Sequence, residues 1–336
     1  MKNRKVVVTK TGKVEFTVED MKMPKLASGE ALMKNHYSLI STGTELACIN
    51  GFESSWFCPP AVPGYTSVGV IVALAENVEG FEVGDIVYYF GGHQEYTVMP
   101  TSGCFMKAPR EIEEKYVPFV RMATIAAGAI RTSGIEFGDY MAVTGQGMIG
   151  IMVGQLAHMQ GAYAIGIDRH DTRLEIAKQC HVDFVINPRE ADVKGKITEY
   201  TKGNMLNTFV EAIGNTKIVA DAMDYMARDG EIIILGTPRT SYEGDMSPVF
   251  MNIFHSDHNI RLKGAHEWKD ANEKDRFVKH SIVRNTEIIF RMMAEGRLVY
   301  KPLLTHLVNP RECEKVYREL AVNKEDYLGV VFDWTE

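Results

Sequence analysis

Two kinds of hydrophobic pattern divide the chain. Up to about residue 110, short runs such as KVVVT, EALMKNHYSLIS, VGVIVAL, GDIVYYF and EYTVMP alternate apolar with polar positions and are separated by Gly, Pro and Asn. A period of two turns one face of each run inward, so this part predicts a folded-over antiparallel sheet or small barrel. From about residue 111 the texture changes to continuous apolar runs (YMAVTG, YAIGID, FVINP, NTFVEAIG, GEIIILGTP, IRLKGAH) alternating with helical stretches such as IMVGQLAHMQGA, RLEIAKQC and IVADAMDYMA. That alternation marks a parallel sheet with crossover helices. After residue 268 a charged helix and a Pro-bounded strand, KPLLTHLVNP, close the chain. The expected fold class is α/β, a doubly wound parallel sheet joined to a β-rich domain across a packed boundary.

Composition supports two domains rather than one, since 336 residues exceed the size of a single small core. With 45% hydrophobic and 24% charged residues the chain reads as an ordinary soluble globular protein. A formal net charge of -7 provides no basic surface for nucleic acid or an anionic membrane, so small molecules are the expected partners. The amino terminus, MKNRKVVVTKTGKVEF, has neither the apolar core of a signal peptide nor the length of a membrane span, and a cytoplasmic location is expected. Cys48, Cys58, Cys104, Cys180 and Cys313 stand singly without a C-x-x-C pair, which argues against a disulfide framework or a structural zinc lobe.

The run AVTGQGMIGIMVG sets Gly145, Gly147 and Gly150 as G-x-G-x-x-G after an apolar strand, with Met148 and Ile149 at the head of the following helix. The first glycine permits a tight turn, the second lets the backbone approach a pyrophosphate, and the third allows close helix-to-strand packing. Asp168 ends the next strand twenty-one residues beyond Gly147, where a carboxylate meets the adenosine ribose hydroxyls and repels a 2′-phosphate. It could instead cap the helix opened by Asp171. Asp168 makes NAD expected over NADP, although Arg169 and Arg173 offer guanidiniums that could also accept a 2′-phosphate. Gly214, Gly236 and Thr237 fall at the carboxyl edge of the same sheet and are candidates for the nicotinamide end, or else ordinary strand-to-helix turns.

STGTEL (Ser41 to Leu46), PGYTSVGVIV, GFEVGDIVYYFGGHQEYTVMP, VTGQGMIG, GIDRHDTRLEIA and DGEIIILGTP, spread over most of the chain, resemble the medium-chain dehydrogenase/reductase superfamily, and its alcohol, polyol and threonine dehydrogenase branch in particular. The resemblance implies a GroES-like catalytic domain over residues 1–120 with 265–336 and a Rossmann domain over 121–264. It also implies three catalytic zinc ligands, and this sequence departs at each of the positions. Thr42 stands for the cysteine, Tyr65 for the histidine with Thr66 for the glutamate after it, and Arg121 most nearly for the third ligand. Neutral hydroxyls are poor zinc ligands and a guanidinium only donates, so the expectation is no zinc. A looser similarity is to zinc-lacking sugar or cyclitol dehydrogenases and bacteriochlorophyllide dehydrogenases.

Without a metal, side chains must move the alcohol proton and stabilise alkoxide charge. Tyr65 beside Arg121 is the expected pair, the cation favouring the phenolate and lowering the phenol's pKa; the alternative for Tyr65 is a half-buried anchor. Thr44 matches the hydroxyl that passes the proton towards the ribose in relatives. Glu45 is read as orienting its neighbours, through an arginine, or as a surface ion pair. His93 is a proton-handling candidate against a hydrogen-bonded turn histidine. Thr42, Thr66, His266, Glu267 and Trp268 are candidate substrate contacts, the last three suiting a hydroxyl-rich ring.

The leading expectation is a zinc-independent, NAD(H)-dependent oxidoreductase interconverting a secondary alcohol and a ketone on a sugar, glycoside or cyclitol, and forming a homodimer or homotetramer. The rivals are an NADPH-dependent enone or quinone reductase and a retired dehydrogenase that only binds nucleotide.

Overall fold

The structure, a computed structural model, describes residues 1–336. The alternating runs form a seven-stranded sheet. Along it lie Leu304–Val308, Gly329–Asp333, Glu30–Leu39, Ser67–Leu74, Ile86–Tyr89 and Met106–Lys107, and Tyr96–Pro100 also pairs with Glu30–Leu39. Its central pairings are antiparallel, while Leu304–Val308 runs parallel to its neighbour. The chain's last two strands therefore return to the sheet that its first hundred residues begin. Lys2–Lys10 and Lys13–Asp20 make a separate hairpin beside it.

The continuous apolar runs form a six-stranded parallel sheet in the order Phe184–Ile186, Tyr163–Ile167, Tyr140–Thr144, Leu206–Glu211, Met226–Ile234, Arg261–Gly264. Its order reverses beside Tyr140–Thr144, and ligands of open α/β sheets bind at the carboxyl ends of strands at such a switch point. Helix Met148–Met159 starts there.

One core of 41 buried residues joins the two bodies. It contains Leu39, Val68 and Val331 from the first sheet, Val143, Val210 and Ile233 from the second, and Val120, Ala123 and Ala126 of helix Val120–Thr132 between them. Arg121, at the start of that helix, is carried by this shared core.

Candidate active site

The glycine turn has the form its sequence requires. Gly145 has φ of +87°, and a Cβ on Gly150 would lie 1.9 Å from the Gly145 carbonyl oxygen, so a larger residue at Gly150 would push the helix off the strand. Gly147 has open space where its Cβ would point. Met148 and Ile149 follow at the head of the helix, whose first N–H groups face the same opening.

Asp168 ends the next strand, 9% exposed, and its carboxylate accepts hydrogen bonds from the backbone N–H of Gln146 (2.8 Å) and His170 (3.0 Å). Gln146 Oε1 and His170 Nδ1 are buried beside it without partners. Open space at Gly147 and unpartnered polar atoms beside a carboxylate fit a dinucleotide. Arg169 is exposed, whereas Arg173 gives Nε and Nη2 to the carbonyls of Lys324 (2.9 Å) and Tyr327 (3.4 Å). At the same carboxyl edge, on the neighbouring strands, a Cβ on Gly214 would lie 2.1 Å from the Thr237 carbonyl, and one on Gly236 would lie 2.4 Å from Gly214 N. The three residues are thus interlocked at the strand ends.

Across the cleft, Tyr65 and Arg121 stand together. The guanidinium carbon is 5.5 Å from the Tyr65 ring centre, 4.2 Å from Phe90 and 5.6 Å from Trp268. Three aromatic faces around one cation stabilise it out of water. Both terminal nitrogens of Arg121 are held by the Glu267 carboxylate in a two-pronged pair, leaving Nε buried without an acceptor. Burial raises the Glu267 pKa against the pull of Arg121. His266 is exposed and joins none of this, while Trp268 is 55% exposed at the mouth.

Thr42 begins helix Thr42–Ile49, and its Oγ1 is buried without a partner. Ser41, at the N-cap, makes no cap bond because its hydroxyl meets the Tyr65 phenol instead; Thr44 lies in the first turn of the same helix. Ser41 was legible only as a letter of the STGTEL motif; nothing in its spacing told that it would face Tyr65. Arg239, one residue past Gly236-Thr237-Pro238, crosses from the other body to the Gly43 carbonyl (3.2 Å) and Glu53 (3.1 Å).

Four expectations need correction. The Tyr65 pKa is raised, not lowered: burial outweighs the hydrogen bond from Ser41 and the charge of Arg121. His93 is fully buried and cannot touch a substrate, its ring filling the space under Gly64. Thr66 is also fully buried, donating to the Pro118 carbonyl at 2.9 Å, so it is no substrate contact. Glu45 orients its neighbours but through no arginine: it accepts from Ser41 N–H (2.7 Å), from His93 Nε2 (2.9 Å) and from the Tyr317 hydroxyl.

Two family models match the chain, the alcohol dehydrogenase GroES-like domain over residues 27–110 and zinc-binding dehydrogenase over residues 149–276. The chain is 26% identical to an L-threonine 3-dehydrogenase of Pyrococcus abyssi, covering 91% of this chain and 92% of that protein. The chain belongs to the medium-chain dehydrogenase/reductase superfamily. It is 24% identical to a sorbitol dehydrogenase of Halalkalibacterium halodurans, with 94% and 95% covered. An alcohol dehydrogenase of Escherichia coli CFT073 solved with NADH shares its fold at a TM-score of 0.82, with 19% identity and 99% of each chain covered. As a member of this superfamily the chain is a dehydrogenase/reductase of the kind that acts on CH–OH groups.

The zinc implied by the second family model does not fit the residues present. Two neutral hydroxyls and a guanidinium occupy the corresponding positions, Glu267 is engaged by Arg121 and Glu45 by Ser41, His93 and Tyr317, and no three His, Cys, Asp or Glu side chains come together as a metal would need.

Proposed function

We propose that the protein is a zinc-independent, NAD(H)-linked oxidoreductase that interconverts a secondary alcohol and a ketone on a sugar-, glycoside- or cyclitol-like substrate. The observation that carries the reading is the trio of Thr42 Oγ1, Tyr65 OH and Arg121 Nε, two of them buried and unpartnered, at the positions of the missing ligands. Residues 121–264 would hold the nucleotide, and 1–120 with 265–336 the reacting groups.

Bound nicotinamide supplies or accepts the hydride. The rest falls to this chain. In reduction, Arg121 Nε–H donates to the ketone oxygen as negative charge grows there, and the Tyr65 O–H bond breaks to give that oxygen its proton. A phenol with a raised pKa is protonated at neutral pH, so Tyr65 starts as the acid. The Ser41 hydroxyl, bonded to the phenol, relays a proton from solvent to it, taking up one proton as it passes one on. In oxidation the same atoms run in reverse. Trp268, exposed at the mouth and edge-on to Phe90 at 6.4 Å, offers its face to the C–H side of a ring.

NAD is favoured over NADP because acidic Asp168 follows the second strand and Arg173 is turned to that carboxylate (4.0 Å) and to the Lys324 and Tyr327 carbonyls, leaving exposed Arg169 for a 2′-phosphate. We further propose a homodimer formed through the exposed edge strand Arg261–Gly264, which carries Leu262 at 43% exposure; light scattering tests it. The test of the reaction is a screen of sugars, glycosides and cyclitols with NAD, with Tyr65→Phe alongside and zinc assayed. Turnover with substoichiometric zinc and a loss of about 100-fold or more in Tyr65→Phe are expected. Full activity in Tyr65→Phe, or one tightly held zinc per chain, would overturn it.

A further inference from the structure

Beyond the cleft, the chain between the Glu267–Lys269 turn and helix Ile282–Ala294 leaves the body and returns. It is pinned at its base by Ile282 N–H to Ala271 O (2.8 Å) and Val283 N–H to Asn272 O (3.1 Å). Between this excursion and the outer face of the helix lies a cavity of about 440 Å³. Arg284, Glu287, Ile288 and Arg291 form its helical wall, a spacing that places them on one face. The excursion contributes Lys274, Asp275, Val278 and Lys279. Glu287 is paired with Lys274, so Lys279, Arg284 and Arg291 are left facing Asp275 alone. This positive excess stands out in a chain of net charge -7.

Behind Arg284 the imbalance deepens. Arg131, near the end of helix Val120–Thr132, donates from Nη1 to His280 Nδ1 at 2.6 Å, which requires that ring nitrogen to be unprotonated. Partial burial and then the Arg131 charge hold the His280 pKa low, and burial and then the Arg284 charge do the same to Arg131, with Asp270 opposing. Arg131 Nε and Arg284 Nη1 are both buried without an acceptor. Charged donors in that condition are costly, and Arg131 behind Arg284 adds to the positive charge backing the cavity wall formed by Lys279, Arg284 and Arg291.

We propose that the cavity wall formed by Lys279, Arg284 and Arg291 binds the phosphate group of a small phosphorylated metabolite. A planar carboxylate could face one guanidinium fork, whereas tetrahedral phosphate has oxygens for two forks and an ammonium. Arg131 lies ten residues along the helix from Arg121, about 15 Å of rise, so this site is separate from the reacting centre. Nothing in it depends on the identity of the alcohol oxidised at Tyr65.

The test is calorimetric titration of the full chain at fixed ionic strength with inorganic phosphate and with glycerol 3-phosphate, plus co-sedimentation with phosphatidylglycerol vesicles. Saturable millimolar or tighter binding of both soluble probes is expected, at least 10-fold weaker in Arg284→Gln and in Lys279→Gln. Both variants should keep wild-type NADH binding, which shows that they are folded. No saturable binding of either probe, equal binding by the variants, or binding to vesicles alone would overturn the proposal.

Discussion

Glu45 Oε2 and His93 Nε2 lie 2.9 Å apart, with the side chains 2% and 0% exposed. The Trp334 indole donates to Ser38 Oγ at 2.9 Å, and Ser38 lies 2.8 Å from His93 Nδ1. Because an ionised carboxylate can only accept, His93 carries a proton on Nε2, facing Glu45. The chain of donors ends on a carboxylate that also holds Ser41 N–H, and Ser41 is the residue whose hydroxyl meets Tyr65.

Replacing Glu45 by Gln leaves three donors competing for one amide oxygen. We expect a loss of about 3 kcal/mol in unfolding free energy, read by urea denaturation. NADH binding should be unchanged, since the nucleotide turn belongs to the other sheet.

Arg121 and Glu267 are 3% and 11% exposed at their side chains. Either Arg121→Met or Glu267→Leu alone strands a charge and should cost about 3–5 kcal/mol. The double variant should regain most of that stability by packing against Phe90 and Trp268. It should not regain turnover, because the Nε–H donor is gone. A cycle combining denaturation with steady-state kinetics separates the two roles.

Asp168→Ser removes the charge that repels a 2′-phosphate while leaving exposed Arg169 in place. The wild type should bind NADH at least 10-fold more tightly than NADPH, and the variant should narrow that gap to a few-fold. Fluorescence titration with both nucleotides reads it.

Burial raises the pKa values of Tyr65, Tyr88, Tyr89 and Tyr317 above the ordinary tyrosine value of 10.0. Groups raised in the folded state contribute stability that is complete below the unfolded pKa and is lost as pH rises through the folded one. Unfolding free energy should therefore fall from about pH 10 upward, and tyrosinate absorbance from these residues should appear together with unfolding.

Much of the fold could be read in the sequence because periodicity is local. YMAVTG and GEIIILGTP are unbroken apolar runs and became inner strands of the parallel sheet, and the glycines of VTGQGMIG dictate a turn by their own backbone freedom. The site was less legible because its partners come from distant parts of the chain. Arg121 and Glu267 are 146 residues apart, and Glu45 and Tyr317 are 272 apart. Spacing cannot show that a carboxylate will reach Ser41 and a histidine rather than an arginine. The sign of the Tyr65 shift also depended on burial, which a Pro-Gly turn does not reveal.

The Arg121–Glu267 pair also constrains how this site can evolve. A metal ligand introduced at Thr42 or Tyr65 would face a guanidinium already seated among aromatic rings, and removing that guanidinium first would strand Glu267 in a dry pocket. Each single step towards a metal centre would thus be disfavoured before the next could help.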